Sequence, residues 1–181
     1  MADEPKDNRR TSVRRQVRLP LGYAAIDPGA AMETLCDALA LPQTIAVRAR
    51  LSDLDDDFAR IIVGIGDART SDALRLLERK VSALEEVVLA DLPVPAETDL
   101  ALSADGIGFE SSGPLAVDSW VAIHLVLPHR YHLVAAARVS RCAAPAQAGG
   151  PYRIGAEFQG LDGAPARRLT RFTIGREERA D

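Results

Sequence analysis

Between residues 47 and 88, apolar side chains recur at helical spacing twice in succession, and this pattern limits the fold more than any other feature of the chain. Val47, Leu51, Leu54, Phe58, Ile61 and Ile65 follow alternating steps of four and three, and Leu74, Leu77, Val81, Leu84 and Val88 do the same. Such a seam keeps one helix face covered over several turns. Gly64-Ile65-Gly66-Asp67 separates the two helices, and Ser71 is the expected N-cap of the second. With Leu74 at an a position, Glu78 and Glu85 fall at e and Lys80 at g, where charges select a partner. Leu76, Ala83 and Val87 widen the apolar surface, which favours a bundle over a simple pair. A hairpin packed on its own domain is the commoner use of such stripes. Two seams exceed what one small domain can cover, so self-association through Leu74, Leu77, Val81, Leu84 and Val88 is expected. Met32, Leu35 and Leu39 predict a short preceding helix that ends before Pro42.

The remainder reads as sheet. Trp120 to Leu127 alternates, with Val121, Ile123, Leu125 and Leu127 on one face and Trp120, Ala122, His124 and Val126 on the other, as in a half-buried strand. A second strand is expected from Tyr131 to about Arg141, a hairpin loop from Ala143 to Pro151, and a third strand over Tyr152 to Phe158.

Charge and cysteine content narrow the function. With 22 Lys and Arg against 26 Asp and Glu, the chain is mildly acidic, and general nucleic-acid binding is not expected. The N-terminus is locally basic through Lys6, Arg9, Arg10, Arg14, Arg15 and Arg18, offset in part by Asp3, Glu4 and Asp7. The residues before Val13 hold little to bury and are expected to order only on an anionic ligand. No secretory signal and no bilayer-length apolar run is visible, so no membrane insertion is expected. Cys36 and Cys142 sit in apolar contexts and read as buried thiols, consistent with a cytoplasmic protein.

Catalytic and metal chemistry find little support. His124, His129 and His132 have no nearby Cys or carboxylate to complete a ligand set. Asp53, Asp55 and Asp57 have the spacing of the first EF-hand ligands, but Phe58 replaces the turn glycine and Gly64 the bidentate glutamate. Gly64-Ile65-Gly66 has no third glycine at dinucleotide-binding spacing. Ser103 lacks nucleophile-elbow glycines and an oriented histidine. The expectation is a non-enzyme with no metal and no cofactor.

Two short motifs remain. Arg14-Arg15-Gln16-Val17-Arg18 presents guanidinium forks suited to phosphate and to the acceptor edge of guanine. Leu100-Ala-Leu-Ser-Ala-Asp-Gly-Ile-Gly-Phe109 places a hydroxyl and a turn glycine three residues apart. Together they resemble the signature of the PilZ domain family, an Arg-x-x-x-Arg arm and an Asp/Asn-x-Ser-x-x-Gly strand. Arg14 and Arg18 match the arm, and Ser103 and Gly106 match the second motif. Ala101 stands where the family has Asp or Asn, and Asp99 lies two residues earlier on the same strand face. The resemblance covers about residues 97 to 178 plus the arm.

It implies an α+β fold: a PilZ-like Greek-key β-barrel with an inserted helical, coiled-coil-like segment and a C-terminal helix over Ala164 to Arg179. Leu169, Phe172 and Ile174 of that helix would cover one barrel mouth. The implied division is a basic arm (1–18), a first barrel strand (19–28), the helical oligomerisation segment (29–92) and the barrel with its helix (93–181). It implies a bacterial signalling module whose candidate ligand is cyclic di-GMP, held by Arg14, Arg18, Ser103 and Gly106. The likeness to an atypical subclass with inserted helices favours a homotetramer. Two functions stay open: a regulator of an unknown partner protein whose cyclic di-GMP binding is weakened or conditional, and a degenerate scaffold acting through helix-mediated assembly and protein contacts in pilus function, motility or virulence.

Overall fold

The structure is a computed structural model that describes residues 14–47, 58, 61–89, 92–128 and 130–175. Six antiparallel strands close a barrel: β1 (Arg15–Ile26), β2 (Glu97–Leu102), β3 (Gly106–Ser111), β4 (Trp120–Leu127), β5 (Tyr131–Ala143) and β6 (Tyr152–Gln159). Their spatial order is β1-β2-β3-β6-β5-β4. β1 closes the ring by pairing twice, Arg15–Pro20 with β2 and Leu21–Ile26 with β4. The partner changes at Leu21, whose N–H donates to the Ala96 carbonyl at 3.2 Å. The described helices include α1 (Met32–Ala38), α2 (Ala68–Leu89) and α3 (Gly163–Thr173).

Alternation builds the interior. Leu100, Leu102, Ile107, Phe109, Val121, Ile123, Leu125, Leu133, Val139 and Ile154 point inward into one core. Leu169 and Phe172 of α3 join it and close one end of the barrel. Ile174 does not: α3 stops at Thr173 and the chain turns at Gly175 (φ +72°), which leaves Ile174 exposed.

A second core lies outside the barrel wall. Leu35, Cys36, Leu41, Ile45, Ala46 and Leu92 pack on Ala122 of β4 and Val134 of β5. β4 is therefore buried on both faces rather than half-buried, because α1 and residues 41–46 cover its outer side. Cys36 is enclosed there, and burial, then the neighbouring Asp37, pushes its thiol pKa up. Cys142 is only partly buried.

The helical insertion differs from its sequence pattern at its ends. α2 is capped by Asp67, whose carboxylate accepts the N–H groups of Arg69 at 3.4 Å and Thr70 at 3.0 Å, and the hydroxyl of Thr70. These bonds, that of the Thr70 hydroxyl first, hold the Asp67 carboxyl below its ordinary pKa. Ser71 is buried and lies inside the helix, so it is not the cap. Of the first seam, Leu51 and Leu54 lie outside the described residues, as do Asp53, Asp55 and Asp57. Val47 and Ile61, near its two ends, face solvent, while Ile45, Ala46 and Ile62 are the buried positions.

Candidate functional site

The register places the two motifs side by side. Arg15 pairs with Leu102, Gln16 with Ala101 and Arg18 with Asp99, so Arg15 and Arg18 belong to β1 itself. Because Val17, Leu100, Ile107 and Ile154 face the core or pack against it, the residues between them face out. One outward row crosses five strands: Gln16, Ala101, Gly108, Gly155 and Arg141. Its centre, Ala101-Gly108-Gly155, carries no side-chain atom beyond a single Cβ. The result is a strip of nearly bare backbone, open to a flat ligand.

Cations border that strip. Arg141 stands at its far end on β5, just past a bulge between Val139 and Arg141, and is exposed. Arg14 is exposed just before β1. Arg18 is also exposed and pairs with Glu97 at 3.2 Å, a contact that water weakens. Arg15 points the other way. Its Nη1 donates to the Phe172 carbonyl at 2.9 Å and its guanidinium lies 5.0 Å from the centroid of the Phe172 ring. It fastens α3 to the barrel mouth.

Ser103 and Gly106 form a hairpin turn between β2 and β3, not one continuous strand. The Ser103 N–H and hydroxyl both donate to the Gly106 carbonyl, at 2.9 and 3.1 Å, and the Gly106 N–H donates back to the hydroxyl at 3.1 Å. Ser103 is buried with these bonds made. Gly106 is required by a close approach, since a Cβ there would stand 2.6 Å from the Ala156 carbonyl oxygen of β6. Both residues thus shape the barrel.

The structure brings Arg18 and the Ser103 turn to the same pair of strands and adds Gly108, Gly155 and Arg141, which the motif reading missed. Their signal was the pair of glycines at outward positions of otherwise apolar, alternating strands. Among the described residues, no group of three His, Cys, Asp or Glu side chains could hold a metal ion. No helix among them is long and apolar enough to cross a membrane.

The second candidate surface is α2. Leu76, Leu77, Val81, Leu84 and Val87 are 47–70% exposed. At 100° per residue they spread over roughly 140° of the helix circumference. Leu74 is half-buried, and the side chain of Val88 lies outside what is described.

A family model for the PilZ domain matches residues 73–175, more than half of the chain. The chain belongs to the PilZ domain family. The match begins inside α2 and leaves out β1, the strand that closes the barrel. Among solved structures, the chain is similar to a pathogenic protein from Xanthomonas campestris, a tetrameric PilZ domain self-assembled via a helical bundle. The two share 15% identity over 92% of this chain and 88% of that one, with a TM-score of 0.50. It is also similar to the Bacillus subtilis inhibitor of motility MotI/DgrA at 12% identity over 93% of this chain and 50% of that one, with a TM-score of 0.47. No curated protein matches the sequence. At 15% identity the likeness to the Xanthomonas protein concerns the fold alone.

Proposed function

We propose that this chain is a non-enzymatic PilZ regulator of the cytoplasm that assembles with itself through α2 and acts through contacts with a partner protein. The observation that carries this reading is the exposed stripe of Leu76, Leu77, Val81, Leu84 and Val87. A contiguous apolar face of this kind is uncommon on a monomer and marks an interface. Its width exceeds the narrow seam of a two-stranded coil, which favours a bundle of more than two helices. The tetrameric Xanthomonas relative of the fold, assembled via a helical bundle, is in keeping with that choice. Leu77→Asp combined with Leu84→Asp should reduce the mass measured by light scattering to that of one chain. An unchanged mass would reject assembly through α2.

A second reading, a receptor for cyclic di-GMP, is favoured by the bare strip Ala101-Gly108-Gly155, which continues onto β1 at Gln16 between the exposed Arg14 and Arg18. Phosphates would meet the arginine forks while a purine lay on the exposed backbone. Two features weaken binding in this reading. Ala101 offers no hydrogen bond, and the Ser103 hydroxyl is already engaged by Gly106. Calorimetric titration with cyclic di-GMP should give weak or no heat for the natural sequence and measurable binding for Ala101→Asn. Silence from both would remove the receptor reading and leave the scaffold.

A further inference from the structure

Two histidines lie where the helical insertion meets the barrel wall. His124 of β4 and His132 of β5 occupy outward positions, between inward residues such as Ile123, Leu125 and Leu133. Nε2 of His124 and Nδ1 of His132 are 2.9 Å apart, with the rings stacked at 5.1 Å and 18° between their planes. Both side chains are buried. What buries them is the second core and its edge. A Cβ built on Gly22 would lie within 4 Å of Pro95, His124 and Leu39 together, which locates the chain before β2 and the end of α1 against His124. His132 borders a cavity of about 330 Å³ shared with Met32, Leu35 and Ile45 of the insertion and with Gln159 and Asp162.

We propose that His124, stacked on His132, is an acid-sensitive latch, which holds α1 and residues 41–46 on the barrel while its ring is neutral and releases them when that ring takes up a proton. In the neutral pair one ring N–H donates to the lone pair of the other ring. A proton added to His124 places a positive charge on a ring that is 1% exposed and does not border the cavity, and water reaches that ring only when the cover lifts. Among the described residues, the titratable and charged groups on the surrounding elements are Glu33, Cys36 and Asp37 of α1, Arg130 just before β5 and Asp162 across the cavity. β1 presents Gly22 and Ala24 on this side, and residues 92–96 carry no charge. Asp37 is exposed and accepts the Gln43 amide at 2.6 Å. Burial first, and the charge of His132 second, lower the His124 pKa to about 4.

The sign follows from linkage. Covered His124 resists protonation down to about pH 4, whereas an uncovered histidine accepts a proton near its ordinary 6.5. Falling pH therefore favours the open cover across this window, by about 20-fold between pH 7 and pH 5.

Amide hydrogen exchange on the full chain at pH 7 and pH 5, corrected for intrinsic rates, tests the latch. Residues 32–46 should lose protection by about that factor while β3 and β6 keep theirs. His124→Gln, which keeps a polar group without a titrating ring, should abolish the difference. Equal protection at both pH values, an equal loss throughout the barrel, or an undiminished loss in His124→Gln would each overturn the proposal. Should that variant fail to fold, the ring resonances of the natural protein decide. A His124 that titrates near 6.5 with residues 32–46 still protected rejects the latch, and titration near 4 supports it.

Discussion

The barrel and α2 use the same kinds of residue to opposite ends. In the barrel, Leu100, Leu102, Ile123, Leu125 and Leu133 are at most 2% exposed, and strands far apart in sequence supply one another's cover. In α2, Leu77 and Leu84 repeat as regularly and stay about half exposed or more. Periodicity sets which residues share a face, whereas the chain's connections set whether that face meets its own molecule. An apolar stripe is thus evidence of a contact without stating whose.

The largest test of this contrast is Leu125→Ala. It should cost about 2–5 kcal/mol of folding stability, through lost burial and an unfilled cavity. Urea denaturation measures it, and a cost below about 1 kcal/mol would mean that the barrel core is not close-packed. Gly106→Ala comes next, at about 1–3 kcal/mol, because the Ala156 carbonyl lies where the new methyl must go and β6 backbone cannot swing aside as a side chain could. A neutral result there would show that β3 and β6 are less tightly apposed. The smallest effect on folding belongs to the Leu77→Asp, Leu84→Asp chain. Compared with the natural chain at concentrations where both are monomeric, its stability should differ by no more than about 0.5 kcal/mol. A larger loss would place those leucines inside their own molecule and erase the contrast between the regions.

Much of the barrel was legible in the sequence, for a local reason. The inward set Val121, Ile123, Leu125 and Leu127 is fixed by period two, which a strand imposes whatever surrounds it. The burial of Ala122 was not legible, because its cover comes from α1 and residues 41–46, about eighty to ninety residues earlier in the chain. The site divides the same way. Ser103 and Gly106 could be singled out by spacing, but their bonds to each other turn what reads as one strand into a hairpin. The start of α2 shifted for a similar reason, since the Asp67 carboxylate bonds the first turn before Ser71 is reached. Gly108, Gly155 and Arg141 became neighbours of Ala101 only through strand register, which includes a bulge in β5.

The double pairing of β1 has a consequence in time. During synthesis Arg15–Ile26 is made first among the strands, yet half of its partners lie in β4, which begins only at Trp120. At about 5–20 residues per second, the wait is on the order of 5–20 seconds after Ile26 is added. Over that interval Leu21 and Tyr23 belong to a strand with an open edge, while helices that need only local contacts can form behind it. The nascent chain therefore passes through a stage in which β1 lacks half of its partners, and the ring is complete only when β6, the last of these strands to be made, joins β3 to β5.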